Sequence, residues 1–232
     1  MNRLKIEKEL LEGAIVREPV GDEKGYWVGA PGWYWDEADQ AAYLTYRIRR
    51  PRGVEPDRGG ESRIARTTDF KTFEDVWSVH KNQYDSASIE RSILSRGPDG
   101  QWRYFTSYVA PEDGRWCTAI NQAETVEALN PARVKRLFTA ADFGLEGVKD
   151  PWLIEVGGIY HLFLSVAINT ANTSDHSHDS LDIFNTGECV SATALATSAD
   201  LDRWDWQGIT FRSMYAMLMN ARRCSSTRVV WI

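Results

Sequence analysis

The sequence predicts an all-β fold of the β-propeller type, with about four blades present. Three observations carry this. Aromatic residues make up 12% of the 232-residue chain, with ten tryptophans, a composition that favours strands. Short strand patterns bounded by Gly, Asp and Pro run through the chain, and no strand–helix alternation marks a parallel sheet. The strand patterns also recur at a spacing near 60 residues, with three or four strands per unit, which suits a propeller blade better than a sandwich or a barrel.

Each element follows from local pattern. Residues 1–25 read as an N-terminal extension, and "RLKIEKELLEGAIV" (Arg3–Val16) as a short amphipathic helix with Leu4, Leu10 and Leu11 near one face. Residues 26–211 read as blades. "AAYLTYRI", "QWRYFTSYV" and "GIYHLFLSVA" are strands, entered through the turns "WDEADQ", "GPDG" and "EVGG". Aligning Tyr43, Trp102 and Tyr160 in them gives gaps of 59 and 58 residues. The segments upstream, "YWVGAPGWYW", "SASIERSILSR" and "GVKDPWLIEV", align Ala30, Glu90 and Asp150 with gaps of 60 and 60. A third element pairs Ser62–Trp77 with Ala192–Gly208. Three blades are clear, and Asn185–Phe211 is expected to open a fourth. "AETVEALNPARVKRL" (Ala123–Leu137) is expected to hold a helical turn or two. The tail, residues 212–232, has the composition of neither a blade strand nor a cap. It is expected to be either idiosyncratic or the product of truncation or a shifted reading frame.

Composition narrows the function. The net charge of −6 and pI near 5.3 argue against a nucleic-acid partner. The first ten residues are charged throughout, with no apolar run suited to a signal peptide or membrane span, so the expected location is cytoplasmic. Cys117, Cys189 and Cys224 are far apart with no CxxC pair, which argues against zinc or redox chemistry. No phosphate-cradling Gly loop, nucleophile elbow or HExxH is present, so no cofactor and no metal is expected. His176 and His178 lie among aspartates in "SDHSHDSLD". This reads as a polar loop between blades rather than a metal site, with one histidine able to reach the mouth of the propeller.

The chemistry centres on Asp150, a carboxylate beside a proline at the start of an apolar strand. A buried charge is costly unless paired or used. "KDP", in register with the repeat and followed by "GGIYHLFLS", resembles the five-bladed propeller glycoside hydrolases of the family 43, 62 and 32 type, over roughly Tyr26–Gly208. The resemblance implies carboxylates from successive blades meeting near the axis: one protonating the leaving oxygen, one activating water or attacking the sugar, one positioning and tuning. Asp150 and Glu90 fall at such positions. Glu90 takes the acid role, which requires a raised pKa, and Asp150 orients substrate or tunes Glu90. Adjacent strand residues face opposite ways, so Arg91 is a poor partner for Glu90. Ala30 departs from the pattern, standing where the first aspartate is expected. Asp36, Glu61 and Asp85 are the substitutes considered. Glu61 is the candidate base, Asp85 a candidate for the pocket rim, and Asp36 reads as solvated in a turn.

The partner implied is an oligosaccharide or glycoside. Trp33, Trp35 and Trp152 are candidates for a stacking platform under a sugar ring. Arg47 and Arg49 share a strand face and form either a solvated charge run or a substrate-binding fork. Lys149 is either a rim lysine or a tuner of Asp150. His178 completes the candidate binding set. Two other readings stay open: a carbohydrate-binding propeller without turnover, supported by Ala30, and an inactive fragment.

Overall fold

The computed structural model describes residues 13–212 and 229–231. Its strands build three four-stranded antiparallel sheets, each a meander in sequence order. The first blade is β2 (Trp27–Asp36), β3 (Ala41–Arg49), β4 (Glu61–Thr67) and β5 (Glu74–His80). The second is β6 (Ile89–Arg96), β7 (Trp102–Val109), β8 (Trp116–Ala123) and β9 (Lys135–Phe138). The third is β10 (Gly147–Val156), β11 (Ile159–Ile168), β12 (Val190–Ser198) and β13 (Asp205–Arg212). A two-stranded ribbon pairs β1 (Ala14–Arg17) with β14 (Val229–Trp231). These are the blades of a propeller.

Two expectations change in detail. Asn185–Phe211 does not open a fourth blade; it supplies β12 and β13, the outer half of the third. The repeat between Ser62–Trp77 and Ala192–Gly208 therefore matches the outer strand pairs of blades one and three. The predicted N-terminal helix gives way at its end to β1, whose Arg17 binds Tyr46 Oη (3.0 Å), the Phe73 carbonyl (2.8 Å) and Asp75 (2.7 Å) on the first blade; Leu4, Leu10 and Leu11 lie outside the described residues. Between Ala123 and Leu137 the chain makes one short 3-10 turn, Pro131–Arg133, in keeping with the turn or two expected there, before extending into β9. Pro131 opens that turn, where its missing N–H costs no hydrogen bond.

The blades pack through interdigitated faces. Between the first and second lie Tyr43, Ile64 and Val79 against Trp102 and Tyr104. Between the second and third lie Ile93, Phe105 and Phe138 against Val148, Leu162 and Leu164. Polar bonds fix the angle where apolar contact alone would let the sheets slide. Thr45 Oγ1 donates to the Ser92 carbonyl (2.6 Å), Tyr104 Oη to Ser62 Oγ (2.9 Å), and Ser62 Oγ meets Ser92 Oγ (3.0 Å). Asp36, expected to be solvated, is buried and accepts from Arg96 Nη1 (2.9 Å). The two occupy equivalent places at the ends of β2 and β6, so this pair also ties blade to blade.

The 60-residue register has a structural cause. The pairing of each inner strand with its neighbour shifts at the same place: between Gly29 and Gly32, between Ile89 and Ser92, and between Lys149 and Trp152. A bulge inserts a residue and re-aims its side chain. Ala30, Glu90 and Asp150 each sit in one. Ala30 and Asp150 adopt left-handed backbone (φ 51° and 56°), uncommon for residues with a Cβ and a frequent mark of functional positions.

Gly32 lets the first bulge approach β6. A Cβ there would lie 2.4 Å from Thr45 Oγ1 and 2.7 Å from the Ser92 carbonyl oxygen. Gly32→Ala is expected to lower unfolding stability by about 1–3 kcal/mol through overpacking. Urea denaturation reads this out, and an unchanged midpoint would contradict the packing described.

Candidate functional site

The site is built where the bulges of β6 and β10 meet the end of β3. Glu90 turns toward the first blade. Its Oε2 lies 2.5 Å from Nη1 of Arg47, which also donates to the Ile89 carbonyl (2.8 Å) and lies over the Trp27 ring (5.4 Å). Arg47 is buried, so it is not part of a solvated charge run. Burial by itself would raise the Glu90 pKa. The charge of Arg47, its hydrogen bond, and the charges of Lys149 and Arg58 outweigh burial and hold the carboxyl down to about 2. The raised pKa expected of a general acid is therefore not met, and Glu90 stands as a carboxylate. The expectation about Arg91 holds: its guanidinium lies over the Trp152 ring (5.8 Å).

Asp150 is fixed from the second blade, its backbone N–H donating to Ser107 Oγ (2.9 Å). Lys149 Nζ lies 3.6 Å from Asp150 Oδ2 and over the rings of Trp116 (5.1 Å) and Phe184 (4.7 Å). A buried ammonium held between aromatic faces is a fixed charge rather than a flexible rim group. Since its field also reaches Glu90, Lys149 couples the two carboxylates. Both Lys149 and Asp150 line a cavity of about 380 Å³ with Ser165, Asn185, Thr193 and Phe211. Arg58 of the β3–β4 loop reaches Asp182 of the β11–β12 loop (3.6 Å) and so joins the first blade to the third.

The other predicted residues disperse. Glu61 sits on β4, bound to Arg63 Nε (2.6 Å) and Arg50 (3.5 Å). Its neighbour Ser62 faces the second blade, so Glu61 faces away from Glu90; the candidate base is a structural ion-pair partner. Trp33 and Trp152 do share a groove of about 170 Å³ along the inner strands with Ile93, Arg96, Leu153 and Tyr160. Trp35 stacks on Phe70 (5.7 Å) instead. Asp85 and His178 meet in a separate cavity of about 550 Å³ with Asp113, Arg115 and Asp175. His178 Nε2 is there bonded to Glu146 Oε2 (3.0 Å), with Arg115 3.2 Å from the same oxygen. Sequence reasoning missed Ser107 and Arg58. Ser107 stands 58 residues before Ser165, the spacing of Trp102 and Tyr160, so the repeat could have pointed to it; Arg58 lies in a loop outside the repeat, and only the packing of the blades brings it near the carboxylates.

This arrangement, an all-β propeller with carboxylates on the bulges of successive inner strands, has the fold of the propeller glycoside hydrolases. Among solved structures the chain is similar to an endo-arabinase from Bacteroides thetaiotaomicron (13% identity, 86% of this chain and 60% of that one, TM-score 0.52). It is also similar to an α-L-arabinanase from Penicillium chrysogenum complexed with arabinobiose (12%, 86% and 53%, 0.52) and a levansucrase from Bacillus subtilis in complex with oligosaccharides (11%, 84% and 59%, 0.52). The chain thus spans less than two thirds of the length of each. No protein-family model and no curated protein matches the sequence.

Because the folded pKa of Glu90 lies below its ordinary 4.5, its ionised pair with Arg47 stabilises the fold fully above that value. The contribution is lost as pH falls toward about 2. Wild type is expected to lose stability between these limits more steeply than Glu90→Gln. Parallel acid denaturation curves would contradict the pairing. Arg47→Met, which strands the carboxylate, is expected to cost about 3–5 kcal/mol at neutral pH, measured by urea unfolding.

Proposed function

We propose that this chain hydrolyses glycosidic bonds, or transfers glycosyl groups, with Glu90 and Asp150 as its working carboxylates. The observation that carries this reading is their placement on equivalent bulges of adjacent inner strands, with a cation against each. Glu90 acts in its ionised form. It stabilises positive charge developing on the sugar ring or draws a proton from water. Asp150, anchored by Ser107 and fronting a polar cavity, orients the glycoside, and Lys149 sets the field between the two. The proton donor is not Glu90 while Arg47 holds it. The substrate is a glycoside or oligosaccharide seated against Asp150, with the groove of Trp33 and Trp152 as a further contact surface. A ring of the five-bladed type belongs to the same reading.

Ala30 favours a second reading. The first inner strand carries no carboxylate at its bulge, as suits a propeller that binds carbohydrate without turning it over. An aryl-glycoside panel (arabinofuranoside, xyloside, fructofuranoside, galactoside) separates the two. Turnover by the wild type is expected to fall by about 10²–10⁴-fold in Glu90→Gln with the fold intact. Turnover that survives the substitution would remove Glu90 from the chemistry. Binding without turnover, unaffected by Glu90→Gln, would favour the second reading.

A further inference from the structure

The third blade is covered on one side only. The second strands of the first two blades are buried from end to end, Arg49 apart, so both faces of those sheets are covered. Along β11 and β12 burial instead alternates with the strand period. Leu162, Leu164, Ala194 and Ala196 are buried against the second blade, while Phe163 and Leu195 between them stay partly open. The register sets Trp152 opposite Phe163, Ile154 opposite His161 and Val156 opposite Ile159, all on this far face. Trp152, Ile154, Val156 and Ile159 are exposed, and Phe211, opposite Thr193, is the most exposed of the large apolar side chains described. A contiguous apolar patch of this kind marks an interaction surface.

Charge, topology and size choose the occupant. Few ionised side chains lie on the face: Lys149 and Asp150 pair with each other at its axial end, and Asp205 stands at its outer edge opposite Thr197. A strongly charged partner meets no complement there, whereas a like face packs on it without stranding a charge. The other end of the stack of blades is closed. The far face of the first blade, with Leu44, Tyr46 and Ile48, is buried; Val16 of β1 packs on it and Arg17 binds Tyr46 Oη. The third blade of one copy therefore finds no equivalent open face on the first blade of the next. Like face against like face about a twofold axis is the pairing left, and it closes at two copies. Four strands of eight to ten residues span roughly 20 by 30 Å, of the order of the ~800 Å² that each partner gives to a standard interface.

We propose that the far face of the third blade is a homodimer interface, on which a second copy packs its own third blade and closes the cavity that holds Asp150. The described residues lining that cavity all belong to the third blade and its β11–β12 loop, and Ser165, Thr193 and Phe211 among them lie on the far face. The partner copy supplies the wall that faces them. The inference stands on packing and does not rest on the carbohydrate reading.

The test is the oligomeric state of the full chain, read by sedimentation velocity and light scattering over a concentration series. The wild type is expected to be dimeric at about 10 µM and above, with no larger species. Ile154→Lys and Phe211→Lys each set a charge against uncharged partner surface, and each is expected to raise the dissociation constant about tenfold or more with circular dichroism unchanged. Val54→Lys, at a comparably exposed apolar residue of the β3–β4 loop, is expected to leave it unaltered. A wild type monomeric throughout would overturn the proposal, as would assemblies that grow past two copies, or a dimer untouched by both substitutions in folded protein. Hydroxyl-radical labelling of the wild type reads the same face should the variants not fold. Trp152 and Phe211 are expected to be protected at high concentration relative to low, and labelling that does not change would count equally against the interface. A dimer without turnover on the aryl panel would leave this inference standing without the glycosidase reading; a monomer that hydrolyses those glycosides would do the reverse.

Discussion

The ion pair between Arg47 and Glu90 is the contact on which the architecture turns. It joins the second strand of one blade to the inner strand of the next, in a place where neither charge is stable alone. Around it lie the hydrogen bonds from Thr45, Ser62 and Tyr104 that fix how the first two sheets meet. The pair makes Glu90 a carboxylate rather than an acid, and that decides which chemistry the axis can support. It also commits one of the two arginines on β3 to structure.

The same arrangement recurs with different parts. Asp150 is held by Lys149 and Ser107, and Asp36 by Arg96. In each case a polar group on one inner strand is answered by a neighbouring residue or an adjacent blade. Apolar faces bring the sheets together without direction, and these charged and hydroxyl contacts supply the direction. The bulges add the final element by turning positions 30, 90 and 150 off the regular alternation, so that a residue of an otherwise packed strand reaches the axis.

Much of this was legible in the sequence, because repetition is visible without coordinates. The 60-residue spacing aligned Ala30, Glu90 and Asp150, the positions at which the inner strands prove to be bulged, and Tyr43, Trp102 and Tyr160 marked the second strand of each blade. Other features were not legible, for a common reason. Glu61 and Asp36 both follow or precede turn-like residues and look alike in sequence. One faces Arg63 on its own sheet, and the other is buried against Arg96 a full repeat away. The pKa of Glu90 was misjudged because its partner is 43 positions distant, on the next blade. Asp85 was a candidate for the pocket rim and His178 for the binding set; the β11–β12 loop brings His178 onto Glu146 and into one cavity with Asp85 and Arg115, a meeting of distant loops that strand pattern does not report. Sequence pattern reports which face of a strand a residue takes; it does not report which neighbour that face meets.

The charge arrangement of the site depends most directly on the ionisation of Glu90. A carbon-detected NMR titration of the glutamate side-chain carboxyls, with Glu90 assigned by its Gln variant, measures it. Glu90 is predicted to titrate near pH 2 in the wild type and markedly higher in a folded Arg47→Gln. A Glu90 that titrates with the ordinary glutamates in both proteins would contradict the pair, and with it the charge arrangement from which the reading of the site was drawn.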